Sequence, residues 1–144
     1  MLEAEDISAR DLCLLASDAA KLAYAKYSKF RVGEALQTAK NTYTAANVEN
    51  SSYGLSLCAE RAAIAKAVSS GDKELIRIAV ACIDAKSGDS MNATMPCGAC
   101  RQWFIEFSPN LEVLIWSPTG TLTRFVANEL LSMPFRLDSV GETE

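Results

Sequence analysis

Residues 75–83 form a nearly continuous apolar run with no glycine or proline inside it, the pattern of a strand buried on both faces. Such a strand needs a covering layer on either side, so the same chain has to supply helices that flank a sheet. In residues 7–26 the apolar positions Leu12, Leu15, Ala16, Ala19, Leu22 and Ala23 recur at spacings of three and four, and Ser8 with Asp11 is placed as a capping pair. Residues 58–68 are strong helix formers with Gly71 where a C-cap belongs, and a third helix over 98–107 starts just past Pro96.

The remaining segments read as strands. Over 27–37 the period changes to two, with Phe30, Val32 and Leu36 on one parity and Gly33 among them, and 42–46 reads as a strand returning through a turn at Lys40 and Asn41. Residues 84–95 are rich in Ser, Gly, Asp, Asn and Thr and read as a loop. Strands over 111–116 and 121–127 are joined only by Ser117-Pro118-Thr119-Gly120, whereas a parallel crossover needs about a dozen residues, so these two run antiparallel. A short helix over 128–132 closes the chain. The expectation is an α/β layered domain on a mixed five-stranded sheet, with the 144 residues forming a single domain.

Composition narrows the chemistry. No window approaches the roughly 18 apolar residues of a membrane span, and residues 1–6 are acidic where a signal peptide is basic, so a cytoplasmic protein without a membrane partner is expected. The net charge is −4 and there is no basic run to track a phosphate backbone, which argues against a nucleic-acid partner. Histidine is absent, which removes the commonest general base and any Ser-His or Cys-His nucleophile pair. Carboxylates, thiols or a metal must therefore carry any reaction. Five cysteines in a chain of this kind suit metal binding or core packing better than disulfides.

Spacing separates the cysteines into two groups. Cys13 and Cys82 fall on a helix face and in the buried strand, and read as core. Cys58, Cys97 and Cys100 fall at the starts of two helices, where the positive end of the helix dipole favours thiolate. The pair Cys97 and Cys100 alone leaves a metal site, a redox pair and coincidence all open. Joined with Cys58 it gives three ligands for Zn2+, and three protein ligands leave a fourth position for water, the catalytic rather than the structural arrangement. Glu60, about 200° around the helix from Cys58, is better placed to carry protons than to bind the ion. The set Cys58-Ala59-Glu60 and Pro96-Cys97-Gly98-Ala99-Cys100 matches the three-cysteine variant of the zinc deaminase signature, in which the glutamate is general acid and base.

Over nearly its whole length the sequence resembles the small homotetrameric cytidine deaminases. The blocks that carry the resemblance are Tyr27-Ser28-Lys29-Phe30-Arg31-Val32-Gly33, Asn47-Val48-Glu49-Asn50-Ser51-Ser52-Tyr53 with Cys58-Ala59-Glu60-Arg61, and Pro96-Cys97-Gly98-Ala99-Cys100-Arg101-Gln102. It implies a three-layer α-β-α fold, hydrolytic deamination of cytidine or deoxycytidine, and a homotetramer. It also implies that Asn47 and Glu49 hydrogen-bond the ribose 3′-hydroxyl, that Phe30 packs beside the nucleoside, and that the Ala59 backbone helps hold the pyrimidine. Ser51 is placed with these substrate contacts, Tyr53 and Phe135 complete sites across subunit boundaries, and Arg61, one turn after Cys58, donates to thiolate sulfur. A carboxylate at Glu49 would repel a phosphate, so free nucleosides are expected over nucleotides.

The sequence departs from the family at Glu34, where alanine is usual, and more mildly at Trp103 and at Ser132-Met133-Pro134. Strand parity puts Glu34 on the side of Phe30 and Val32, while a bulge near Gly33 would turn it outward. Two other readings stay open here: deamination of a related nucleoside such as the antibiotic blasticidin S, and a non-catalytic module built on structural zinc.

Overall fold

The computed structural model describes residues 7–137, so the acidic segment 1–6 lies outside the described residues. Helix α1 (Ala9–Ala20) starts at the expected cap, where the Ser8 hydroxyl accepts from the Asp11 amide at 3.0 Å and satisfies one of the first-turn donors. It ends earlier than its apolar spacing suggests, because Tyr24 leaves to bridge Val48, donating to the Asn47 carbonyl and accepting from the Glu49 amide. Strand β1 (Val32–Thr38) also starts later than the predicted 27–37. Lys29 has φ of 60°, incompatible with an extended run, and the amides of Tyr27 and Ser28 are taken by the Glu49 carboxylate instead of a neighbouring strand.

β1 pairs antiparallel with β2 (Thr42–Ala46) on one side and with β3 (Leu75–Cys82) on the other. The hairpin closes through the Thr38 amide, which donates to the Asn41 carbonyl at 2.9 Å. β4 (Glu112–Trp116) lies parallel to β3, and β5 (Leu122–Val126) runs antiparallel to β4 as the short Ser117 to Gly120 connection demands. The sheet order is β2-β1-β3-β4-β5. Helix α2 (Ala59–Ser69) connects β2 to β3, α3 (Gly98–Phe107) forms the β3 to β4 crossover, and α4 (Ala127–Leu130) follows β5 directly. Beyond the end of α2, Gly71 takes φ of +87°, a left-handed value that suits glycine. The 84–95 loop contains one 3₁₀ turn at Met91–Thr94.

Alternate residues along the sheet enter two separate cores. Leu36, Ile78, Val80, Val113 and Ile115 pack with Ala63, Ile64 and Ala67 of α2 and Phe104 and Ile105 of α3, while Ala35, Ala79, Ala81 and Leu114 pack with Leu12, Cys13 and Ala16 of α1. Cys82 belongs to the first core and Cys13 to the second, as their positions predict. Gly33 lets α1 approach the sheet backbone: a Cβ there would stand 1.9 Å from the Ala16 carbonyl oxygen and 2.4 Å from the Ala20 nitrogen. Glu34 points inward and is fully buried. The irregularity of the strand lies not near Gly33 but at Gln37 and Thr38, beyond Glu34, and does not turn it outward.

Candidate active site

Cys58 is the N-cap of α2 and Cys97 the N-cap of α3, with Cys100 in the first turn of α3. Neither cap uses its side chain to bond its own helix, so both sulfurs are free to turn toward each other. The three Sγ atoms lie within 4.8 Å of one another, with Cys58 to Cys97 at 3.7 Å and Cys97 to Cys100 at 3.5 Å. Sulfurs about 2.3 Å from a tetrahedral zinc would stand about 3.8 Å apart. The cluster therefore fits the ion in spacing and in donor type. Two helix N-termini meet at this point, one of the helix that precedes β3 and one of the helix that follows it.

The sulfurs do not share charge equally. A hydrogen bond from the Cys100 thiol holds Cys58 down to about 5, with the Arg61 guanidinium and Cys97 adding to it against the opposing effect of burial. The same bond, together with burial, raises Cys100. Arg61 Nη2 donates to Cys58 Sγ at 3.5 Å, so the cation expected beside the thiolate is in place. Glu60, in the first turn of α2, is 5% exposed. Burial pushes its carboxyl up to about 7; its own amide, Arg61 and the Cys100 thiol favour its charged form, while the Cys58 charge opposes it. A carboxyl poised there at neutral pH is suited to taking and returning a proton.

A second group of predicted residues gathers around a cleft of about 300 Å³ lined by Tyr27, Ser28, Glu49, Tyr53 and Ser56. The Glu49 carboxylate accepts from the Tyr27 amide at 2.9 Å and the Ser28 amide at 3.0 Å, and also from the Ser28 hydroxyl. The hydroxyl first, then these amides and the nearby Lys29, hold it below the usual carboxylate range. Ser51 bonds the Tyr27 hydroxyl at 2.6 Å, and the Tyr53 ring meets Tyr27 edge-on with centroids 6.1 Å apart. Asn47 accepts from the Val32 amide and donates to the Phe30 carbonyl, both at 2.9 Å, which leaves one lone pair and one N–H of its amide for a further partner.

Phe30 is half-buried against the core that also receives Cys58, and Ala59 is fully buried at the start of α2. Phe135 stands apart from the cleft lining. It is 70% exposed, and its carbonyl accepts from Gln102 Nε2 at 2.9 Å. Tyr27 and Ser28 are the participants that residue-level reading missed. The available signal was the hydroxyl at Ser28 just ahead of a turn, but its partner lies 21 residues away.

Residues 7–115 match the family model described as the cytidine and deoxycytidylate deaminase zinc-binding region. The chain is 37% identical over 122 residues to a protein of Halalkalibacterium halodurans named cytidine deaminase, covering 83% of this chain and 88% of that one. A crystal structure of cytidine deaminase from Burkholderia pseudomallei superposes with a TM-score of 0.81 at 39% identity, over 90% of this chain and 100% of the other. More distant is a blasticidin-S deaminase of Bacillus cereus, 31% identical over 112 residues, which cover 75% of this chain and 79% of that protein. With the family model matched over residues 7–115, this level of identity to a cytidine deaminase over most of both chains, and the same fold, the chain belongs to the cytidine and deoxycytidylate deaminase family.

Proposed function

We propose that this protein hydrolyses the 4-amino group of free cytidine or deoxycytidine, releasing ammonia and the uracil nucleoside. The observation that carries the reading is the buried Glu60 carboxyl beside a cluster of three thiols, a donor set that leaves a tetrahedral metal one position short. Cys58, Cys97 and Cys100 would hold the zinc, which when bound would supply Lewis acidity and lower the pKa of a water. Glu60 accepts one proton of the attacking water and passes it to ring N3 as oxygen bonds to C4; it then takes the remaining proton of the C4 hydroxyl and delivers it to the amine as the C4–N bond breaks and the carbonyl forms. Three thiolates on a divalent ion leave a net charge of about −1. Arg61, donating to the Cys58 sulfur, offsets it.

Asn47 and Glu49 are assigned to the ribose 3′-hydroxyl, Ser51 to the polar wall of the same cleft, Phe30 to the face of the nucleoside and the Ala59 backbone to the pyrimidine. An ionised Glu49 favours a sugar hydroxyl over a phosphate, which supports nucleosides over nucleotides. The five residues between β4 and β5 leave no room for an added helix that a polynucleotide could use. The finer architecture follows the same reading: one α-β-α three-layer domain that assembles as a homotetramer in the cytoplasm, where Tyr53 and Phe135 complete neighbouring sites.

The test is Glu60→Gln. The amide is nearly isosteric and can still hydrogen-bond the pyrimidine, but it cannot take a proton from water at neutral pH. Zinc content and fold should be retained while kcat on cytidine falls by about 10⁴ or more, the upper end for a general acid and base. Near-normal turnover in a zinc-loaded variant would assign the proton to another group, and loss of zinc would make Glu60 a ligand. Turnover of blasticidin S measured beside cytidine decides the substrate within the family.

A further inference from the structure

Cys97 and Cys100 are bracketed in the chain by Pro96 and Arg101, and these two neighbours are joined by a side chain. Arg101 Nε donates to the Pro96 carbonyl at 2.8 Å, while the Arg101 amide donates to the Cys97 carbonyl at 3.0 Å. Pro96 has no N–H, so its carbonyl is the one backbone group by which a hydrogen bond can hold it. The same guanidinium also reaches away from the thiols: Nη1 donates to the Leu130 carbonyl at 2.9 Å, at the end of α4. A helix leaves its last carbonyls without partners of its own, and Arg101 takes one of them.

The two sulfurs that this arrangement encloses are held very differently. Cys100 is fully buried in the first turn of α3. Cys97 is exposed, caps the helix without using its side chain, and follows a loop whose regular structure is one 3₁₀ turn. Their separation of 3.5 Å therefore depends on how firmly the turn ahead of α3 is held to the helix. A guanidinium suits that task, because its donors lie in one rigid plane and a bond to Leu130 fixes the direction of the bond to Pro96.

We propose that Arg101 is a positioning residue for the metal: braced on the Leu130 carbonyl, it holds Pro96 and so sets where the Cys97 sulfur stands relative to Cys100. The inference rests on the metal site of the deaminase reading and gives Arg101 no contact with the ion or the nucleoside.

The experiment compares three variants. Arg101→Met keeps the straight chain and removes both donors. Arg101→Lys keeps the charge but cannot hold two carbonyls from one plane, and Gln102→Met frees the Phe135 carbonyl from α3 while leaving both Arg101 bonds in place. Each is loaded with Co2+, whose visible absorption at three thiolates reports ligand geometry with no substrate present. The Arg101→Met spectrum should shift and weaken, and zinc should pass from that variant to a chelator about tenfold faster or more, the lower end of what a group behind the ligands contributes. Arg101→Lys should stand between it and the parent, and Gln102→Met should keep the parent spectrum. On cytidine, Arg101→Met should lower kcat about tenfold or more while KM stays within about twofold, since no residue assigned to the nucleoside is changed.

A parent-like cobalt spectrum in Arg101→Met overturns the proposal. An equal shift in Gln102→Met does the same, because it marks a general loosening of α3, and so does full recovery in Arg101→Lys, which leaves charge alone as the cause. Should Arg101→Met fail to fold, Arg101→Lys carries the test, and an unmoved spectrum there overturns the proposal. A parent that binds cobalt and shows these shifts yet leaves cytidine intact overturns the deaminase reading while the role of Arg101 stands; a parent that takes up no cobalt overturns both.

Discussion

Cys97 is exposed, yet it stands between the other two thiols, 3.7 Å from Cys58 and 3.5 Å from Cys100. Its replacement by alanine disturbs no core packing and leaves only two sulfurs. Cys97→Ala should therefore lose stoichiometric zinc together with activity while far-ultraviolet circular dichroism stays unchanged; a metal analysis showing one zinc per chain in that variant would remove it from the ligand set. These ligands were readable in the sequence because their chemistry depends on short spacings: an i, i+3 pair at a helix start and a glutamate two residues past a third cysteine. Glu49 was named from the resemblance as a ribose contact, but its surroundings were not readable. What holds it is the turn over 27–31, with Lys29 in a left-handed conformation, and that turn is set by tertiary contacts that no local pattern encodes.

At the level of elements, β1 is the strand on which the fold is most sensitive. Gly33→Ala would drive a methyl into the α1 backbone, with Ala16 oxygen at 1.9 Å and Ala20 nitrogen at 2.4 Å, so helix and sheet must separate. The cost should be on the order of 3 kcal/mol, the upper end for overpacking, because the obstructing atoms are backbone and cannot change rotamer. Chemical denaturation of the two proteins checks this, and a midpoint within error of the parent would mean that α1 shifts freely. Elements bounded by strong local signals matched their sequence reading: α3 occupies Gly98–Phe107 as expected after Pro96, and Ser8 caps α1. Elements whose ends are decided by distant partners did not. α1 stops short at Ala20 because the chain beyond it joins the 47–49 segment, and β1 begins at Val32 because its predecessor serves Glu49.

For the whole molecule, the surface near the C-terminal part of the described chain is unusually apolar: Trp103, Met133, Phe135 and Leu137 are all exposed, Met133 at 95%. Burial of such side chains against other copies is the physical basis for the proposed assembly. Sedimentation should give a particle of four times the 15.5 kDa chain mass, and Phe135→Ala should weaken both association and turnover; a fully active monomer would refute shared sites. The sheet order was not legible beforehand, since it depends on which strands close across long separations rather than on any strand's own pattern. That order has a consequence for the unfolded chain. Cys58 and Cys97 are 39 residues apart, and an ion gripping both ties off the whole α2–β3 stretch as a loop. By the chain-entropy relation for a cross-link, closing a loop of that length removes roughly 4 kcal/mol worth of freedom from the denatured state at room temperature. The ion that serves the chemistry is thus also a topological clasp: while it stays bound, heat or denaturant can loosen the sheet but cannot let the chain spread to its full range of shapes.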